Sequence, residues 1–126
     1  AWTDLTAGEI CVASLEPASL ADELMRLEPA ELLFPEDRKP TDILSALPAR
    51  SAWTPRPDFT YSAANAKDLL QRHFNVRSFS GYGIDDHSAG IRAAGALLAY
   101  LLETQKTGLK HVTKLTPYVR SAAMLI

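Results

Sequence analysis

The run Ser88 to Lys106, SAGIRAAGALLAYLLETQK, constrains this chain more than any other stretch, because it is the longest segment with unbroken helical periodicity and no proline. At about 100° per residue, Ile91, Ala94, Gly95, Leu98, Leu101 and Leu102 fall on one stripe, the apolar face a helix needs to sit on a sheet. Ser88 is placed to cap the N-terminus, with Asp85 and Asp86 just before it near the positive helix end. Lys106 and Gly108 mark the other end as a last-turn cation and a terminating glycine. Gly90, Ala94 and Gly95 lie on or beside the stripe, where small residues let the backbone approach a neighbour and offset a helical penalty of about 1 kcal/mol per glycine. A central helix is expected. Ala93, Ala96, Leu97 and Tyr100 lie on the opposite side, where only Arg92 and Glu103 carry charge before Lys106. Either another element covers that side or it is a contact surface for a partner.

The remaining chain alternates strand-like and helical patterns. Residues 1–5 and 9–15 are short strand candidates joined as a hairpin through Thr6-Ala7-Gly8. Ala18 to Leu27 places Leu20, Leu24 and Leu27 at helical spacing, with Ser19 as cap and Pro29 as stop. Glu31 to Phe34 is a brief apolar strand closed by Pro35, so strand, helix and strand follow with short links, the pattern of a βαβ crossover in a mixed sheet. From Pro35 to Asp58 the prolines at 35, 40, 48, 55 and 57 predict an irregular excursion. It holds one short helix, Asp42 to Leu47 capped by Thr41, with Trp53 and Phe59 as packing anchors. A further helix runs from Ser62, its cap, to His73, with Ala63, Ala66 and Leu70 inward and Asp68, Gln71 and Arg72 outward. In the tail, His111-Val112 and Tyr118-Val119 are strand pieces around Pro117, and residues 122–126 form a last strand or linker.

Composition narrows the chemistry. With 126 residues, 47% hydrophobic and 22% charged, the chain suits one folding domain. A formal net charge of −2 speaks against a free-standing nucleic-acid binder, which needs a basic surface. The single Cys11 excludes an internal disulfide, offers no metal-ligand spacing and fits a reducing cytosol; it reads as a small sheet or core residue. No apolar run is long enough to span a bilayer and no signal-peptide pattern opens the chain. The start without methionine and the end on an apolar run suggest a piece of a larger protein.

Candidate catalytic groups are scattered. A metal-dependent nuclease needs carboxylates converging on a divalent cation, and the candidates are Asp4, Glu9, Asp68, Asp85 and Asp86. Asp4 neighbours a turn, Asp68 faces outward, and the adjacent Asp85 and Asp86 are better placed as helix N-terminal charges. Cys11 has no helix N-terminus or basic neighbour to lower its pKa, and His73, His87 and His111 are far apart in sequence. His73 is expected to be half-buried at a helix end and His87 solvated. The glycine loop Ser80-Gly81-Tyr82-Gly83 lacks the Walker lysine and the dinucleotide spacing, and two aspartates stand where a phosphate would meet the helix.

A family resemblance is carried by Phe79-Ser80-Gly81-Tyr82-Gly83, then Ala93-Ala94-Gly95-Ala96-Leu97-Leu98-Ala99-Tyr100 and Thr104-Gln105-Lys106. With Ala1 to Glu9, the Pro29-Ala30-Glu31-Leu32-Leu33-Phe34 segment followed by Glu36-Asp37, and the helix up to Phe74, it covers nearly the whole chain in order. This pattern resembles the second, connector domain of the bacterial mismatch repair MutS family. The resemblance implies an α/β, ribonuclease H-like mixed sheet flanked by helices, without a metal nuclease site and with the family domain's first strand missing before Ala1. An exposed sheet edge, open to self-association, would follow.

The same resemblance implies a non-catalytic connector that links a mismatch-binding domain to the core of a dimeric, cytoplasmic ATPase and docks MutL. ATP and Mg would be used, and mismatched DNA contacted, by other domains of the parent; this chain would need no cofactor, touch little DNA and meet no membrane. The docking surface maps onto Asp68, Leu69 and Leu97, the last being the off-stripe leucine of the central helix. Asp68 and Leu69 depart from the glutamines of the family pattern. The alternative class is a nuclease on the same fold using Asp4, and a third is an autonomous DNA-binding module.

Overall fold

Strand β2 (Glu9–Val12) sets the frame: Ile10 and Val12 are buried while Glu9 and Cys11 stay half-buried, the period of two of a strand with one covered face. The computed structural model describes residues 1–4, 8–39, 51–105 and 109–118. It divides into two compact units, one of Ala1–Ser14 with Thr60–Ile126 and one of Leu15–Phe59.

In the first unit, β1 (Trp2–Asp4) runs antiparallel to β2, with Trp2 opposite Cys11 and Asp4 opposite Glu9. Gly8 occupies the left-handed region at φ 66°, and a Cβ there would stand 2.5 Å from the His111 carbonyl oxygen, so only glycine fits this corner. The last strand of the unit, here β5 (Lys114–Pro117), lies parallel to β2 with Ile10 beside Leu115. The strand order β1-β2-β5 is therefore a mixed sheet. Because β1 and β5 run in opposite senses on either side of β2, Trp2 and Tyr118 come together at one end of the sheet, their rings edge to face at 5.2 Å.

Helix α2 (Ala63–Phe74) is capped by Ser62, which accepts the Asn65 N–H at 3.2 Å, and ends on a left-handed Asn75 whose N–H reaches the Gln71 carbonyl. Helix α3 (Ala89–Thr104) is capped by Ser88, which accepts the Ile91 N–H at 3.3 Å. Its glycines are points of contact. A Cβ at Gly90 would lie 2.4 Å from Val12 Cγ1 of the sheet, and one at Gly95 would lie 2.3 Å from Ala66 Cβ of α2. The core of this unit joins Ile10, Val12 and Leu115 of the sheet, Leu70 of α2, and Ile91, Ala94, Leu98 and Leu101 of α3, with Phe79, Ile84, Leu109 and Val112 from the loops. Each large buried side chain contributes about 1.5–3 kcal/mol relative to exposure.

The second unit holds α1 (Pro17–Leu27) and a parallel pair, β3 (Glu31–Pro35) with β4 (Ala52–Arg56). Leu24 is its buried anchor, packed on Ala21, Leu32 and Trp53, and the Trp53 ring meets Phe34 edge to face at 6.0 Å. Buried Glu23 is bonded by Arg26 one turn on at 2.7 Å, and the Ser51 hydroxyl donates to the Pro29 carbonyl.

The mixed α/β class, the hairpin, both serine caps and the central helix stand as read from the sequence. Several details differ. Among the described residues the ladders do not include the expected β2–α1–β3 crossover: β2 has β5 as a parallel neighbour and β3 has β4. β4 was hidden because Pro55 and Pro57 punctuate it, yet a proline is tolerated in a two-stranded ladder where its missing N–H has no bond to make. Trp53 packs as expected, whereas Phe59 is 66% exposed. Helix α1 starts at Pro17 with no side-chain cap and encloses Ser19, since proline is preorganised for a first turn. Ala63 is exposed on the first turn of α2. Leu102 is 44% exposed because Leu98 and Leu101, three apart, already take the core positions and the next residue lies a further 100° round, by helix geometry of about 3.6 residues per turn. His111-Val112 forms a turn ahead of β5 rather than a strand. The Asp42–Leu47 helix, Lys106, Gly108 and the stretch 122–126 lie outside the described residues.

Candidate functional site

The α2–α3 pair carries all three residues assigned to a partner surface. The crossing at Ala66 and Gly95 brings the two backbones so close that no side chain fits between them there, fixing the two helices as one platform. On it, Asp68 is exposed and pairs with Arg72 one turn later at 2.9 Å, an open i,i+4 pair worth little in stability. Leu69 and Leu97 are half-buried and both pack against the first unit's core cluster, so each presents one side to the core and the other outward. The structure thus places Leu69 and Leu97 at the rim of one apolar cluster and Asp68 outside it.

The side of α3 opposite its stripe divides. Ala96 is wholly buried, so part of that side is covered, while Ala93, Leu97 and Tyr100 remain half-buried. Covering thus holds for Ala96, and the other three stay partly open.

The loop leading into α3 is organised by a carboxylate. Asp86 Oδ1 accepts the Phe79 N–H at 2.7 Å, Oδ2 accepts the Ser78 hydroxyl at 3.0 Å, and Lys67 Nζ of α2 stands 3.7 Å away. The Phe79 N–H above all, with Ser78 and Lys67 helping, holds the Asp86 carboxyl below its usual range. Asp86, two residues before the Ser88 cap, is therefore also a loop clamp that reaches α2. Asp85 instead accepts the His87 N–H at 2.9 Å, an Asx-type turn.

Sequence reasoning missed an open groove of about 370 Å³ at the C-terminal end of α2, lined by Asp68, Gln71, Arg72, Asn75, Val76 and Arg77. Gln71, expected outward, is half-buried because its side-chain amide donates to the Arg77 carbonyl and folds the trailing loop back on the helix. The left-handed Asn75 enables that reversal. The sequence signal was the pair Arg72 and Arg77 flanking an asparagine able to end a helix.

The remaining candidates do not converge. Glu9 accepts the Thr116 hydroxyl at 2.7 Å and the Cys11 thiol at 3.4 Å, and these bonds, the first foremost, lower its pKa. Asp4 faces it in register across the hairpin. Among the described residues no three histidine, cysteine or acidic side chains gather where they could hold a metal ion. Cys11 is a half-buried sheet residue. His73 is half-buried, as read, and its Nε2 lies 2.9 Å from the Val112 carbonyl oxygen; His87 is exposed. Among the described residues no helix is long and apolar enough to cross a membrane.

The family model MutS domain II matches residues 1–113. DNA mismatch repair protein MutS of Chlorobium limicola is 40% identical over 119 residues, 93% of this chain and 14% of that protein. DNA mismatch repair protein MutS of Rhodopirellula baltica is 39% identical over 127 residues, 100% of this chain and 14% of that protein. The chain thus spans only a small part of the length of these relatives. A family match over most of the chain, with both relatives aligned over nearly all of it, identifies the chain as a member of the MutS domain II family.

Proposed function

We propose that this chain is a non-catalytic connector and protein-docking module of a bacterial, cytoplasmic DNA mismatch repair ATPase. The observation that carries the reading is the rigid α2–α3 platform with Leu69 and Leu97 at its apolar rim and Asp68 beside them. A leucine half packed on a core and half outward is preorganised for a partner, because it loses little side-chain freedom on binding. In this reading the platform docks MutL and the rest of the chain links the mismatch-binding domain to the core of a homodimeric parent. ATP, Mg and mismatched DNA are handled by other domains, and the ribonuclease H-like arrangement serves as scaffold.

The test uses the full-length parent with MutL, ATP and mismatched DNA. Asp68→Lys reverses an exposed charge and breaks its open pair with Arg72, and Leu97→Asp places a charge at the rim. Loss of MutL recruitment in both variants, with the folded state retained by circular dichroism, supports the docking role. Recruitment unchanged in both removes this surface from consideration. Turnover of labelled DNA or RNA by the chain with Mg²⁺ or Mn²⁺, abolished by Asp4→Asn, would replace the proposal with the nuclease alternative.

A further inference from the structure

We infer that Lys67 and His73 are positioning residues that fix the roll of α2 about its own axis, and with it the outward presentation of Asp68 and Leu69, an inference that rests on the docking role proposed above. The α2–α3 crossing alone does not set that roll. At Ala66 and Gly95 a methyl meets bare backbone, and buried Leu70 with half-buried Leu69 and Phe74 adds apolar contact. Such attraction has no direction, so it keeps the inner face inward without fixing the angle. Polar tethers supply the direction.

Leu70, wholly buried, marks the inward line of α2. Lys67 stands three residues before it and His73 three residues after, so the two lie about 60° to either side of that line. On one flank Lys67 Nζ reaches Asp86 Oδ2 at 3.7 Å, with side chains only 30% and 21% exposed. On the other flank His73 Nε2 donates to the Val112 carbonyl oxygen at 2.9 Å, since a carbonyl only accepts. Both anchors are themselves held. Asp86 accepts the Phe79 N–H at 2.7 Å, while the Val112 N–H is bonded to the Leu109 carbonyl and the Thr113 and Lys114 N–H groups to the Gly8 carbonyl. Rotation of α2 in either sense therefore stretches one tether or the other.

The docking residues move with the roll. Leu69 lies on the flank of His73, about 40° further from the inward line, and Asp68 lies about 160° from that line. A roll in one sense presses Leu69 into the core cluster and in the other lifts it off, while the Asp68 carboxylate swings across the outer face. With both tethers in place the free chain already holds the arrangement a partner meets. When one is cut, only a fraction of the molecules holds it, and the apparent affinity falls by that fraction.

The test follows MutL binding to the full-length parent, loaded with ATP on mismatched DNA, as separate association and dissociation rates well below the melting temperature of each variant. The variants are Lys67→Met, which leaves the Asp86 bonds to Phe79 and Ser78 in place, and His73→Leu, with His73→Gln as the conservative variant whose amide restores the bond. The inference expects association to slow about twofold in Lys67→Met, the worth of one partly exposed ion pair. It expects a slowing of about fivefold in His73→Leu, the worth of one hydrogen bond, with His73→Gln near normal and dissociation unchanged in all three. Lower melting temperatures with both rates unchanged would mean a purely structural role and overturn the inference. Faster dissociation with normal association would make Lys67 or His73 a direct contact and overturn positioning. Normal rates in these variants while Leu97→Asp fails to bind remove the tethers and leave the docking role intact; normal binding by Leu97→Asp as well overturns both. Where His73→Leu does not fold, Lys67→Met carries the same test, with Lys67→Arg as its rescue.

Discussion

Gly95→Ala is the substitution whose outcome the helix pair fixes most tightly. In an ordinary exposed helix it would stabilise by about 1 kcal/mol, because alanine is the better helix former. Here the new methyl would stand 2.3 Å from Ala66 Cβ, 2.4 Å from its Cα and 3.0 Å from its carbonyl carbon. Carbon atoms rest at about 3.5–4.0 Å, so α2 and α3 must separate by more than about 1 Å, and the atoms in the way are backbone and an alanine Cβ, which no rotamer change can clear. Overpacking costs about 1–3 kcal/mol and more where the obstacle is rigid. With a cost at the upper end and the propensity gain subtracted, the net loss is about 2 kcal/mol. At the intermediate size of this chain that lowers the melting temperature by about 6–12 °C. Thermal unfolding followed by circular dichroism measures it, with Gly81→Ala as control: nothing lies within 4 Å of a Cβ at Gly81, and the control should change stability by less than about 0.5 kcal/mol. A Gly95→Ala protein as stable as the parent would refute the close crossing and the rigid platform built on it.

Three further outcomes follow from single contacts. Ser88→Ala removes the oxygen that accepts the Ile91 N–H and should cost about 1 kcal/mol, with Ser88→Gly losing only a few tenths; urea titration of the three proteins orders them. Leu70→Ala empties a fully buried position and should cost about 2–5 kcal/mol, read from the same titration. Asp86→Asn should lower the melting temperature at neutral pH. The Asp86 pKa is depressed below its ordinary 3.8 in the folded protein, so its contribution is complete above that value and disappears as pH falls through the folded pKa. The gap between parent and variant should close over that acid range, and a gap that persists there would refute the clamp.

The parts of the fold that were legible in the sequence are those written in local periodicity. The α3 stripe, the two serine caps and the small residues at Gly90 and Gly95 need only helix geometry to be recognised, and the alternation of β2 needs only the pleat. What could not be read depends on distant partners. Nothing in Glu31 to Phe34 says whether its parallel neighbour is the preceding strand or one that follows a proline-rich stretch, because a short apolar run fits either. The mixed sheet arises through β5, in a tail where Pro117 closes the strand and hides it. The platform residues were reached through family resemblance together with the off-stripe position of Leu97. The groove escaped because its shape depends on Gln71 folding the loop back, a tertiary event with no periodic trace. The clamp contacts of Asp86 escaped for a related reason: two adjacent aspartates before a helix look alike until one of them finds the Phe79 N–H.

The meeting of Trp2 and Tyr118 at one end of the sheet bears on mechanics. A load applied through these two residues enters β1 and β5 at the same end, so the ladders to β2 are opened one hydrogen bond at a time, as a zip is, and are not sheared together. Such a geometry yields at low force. Within the same unit α2 and α3 are held to each other at Ala66 and Gly95, a contact between helices with no ladder to open bond by bond.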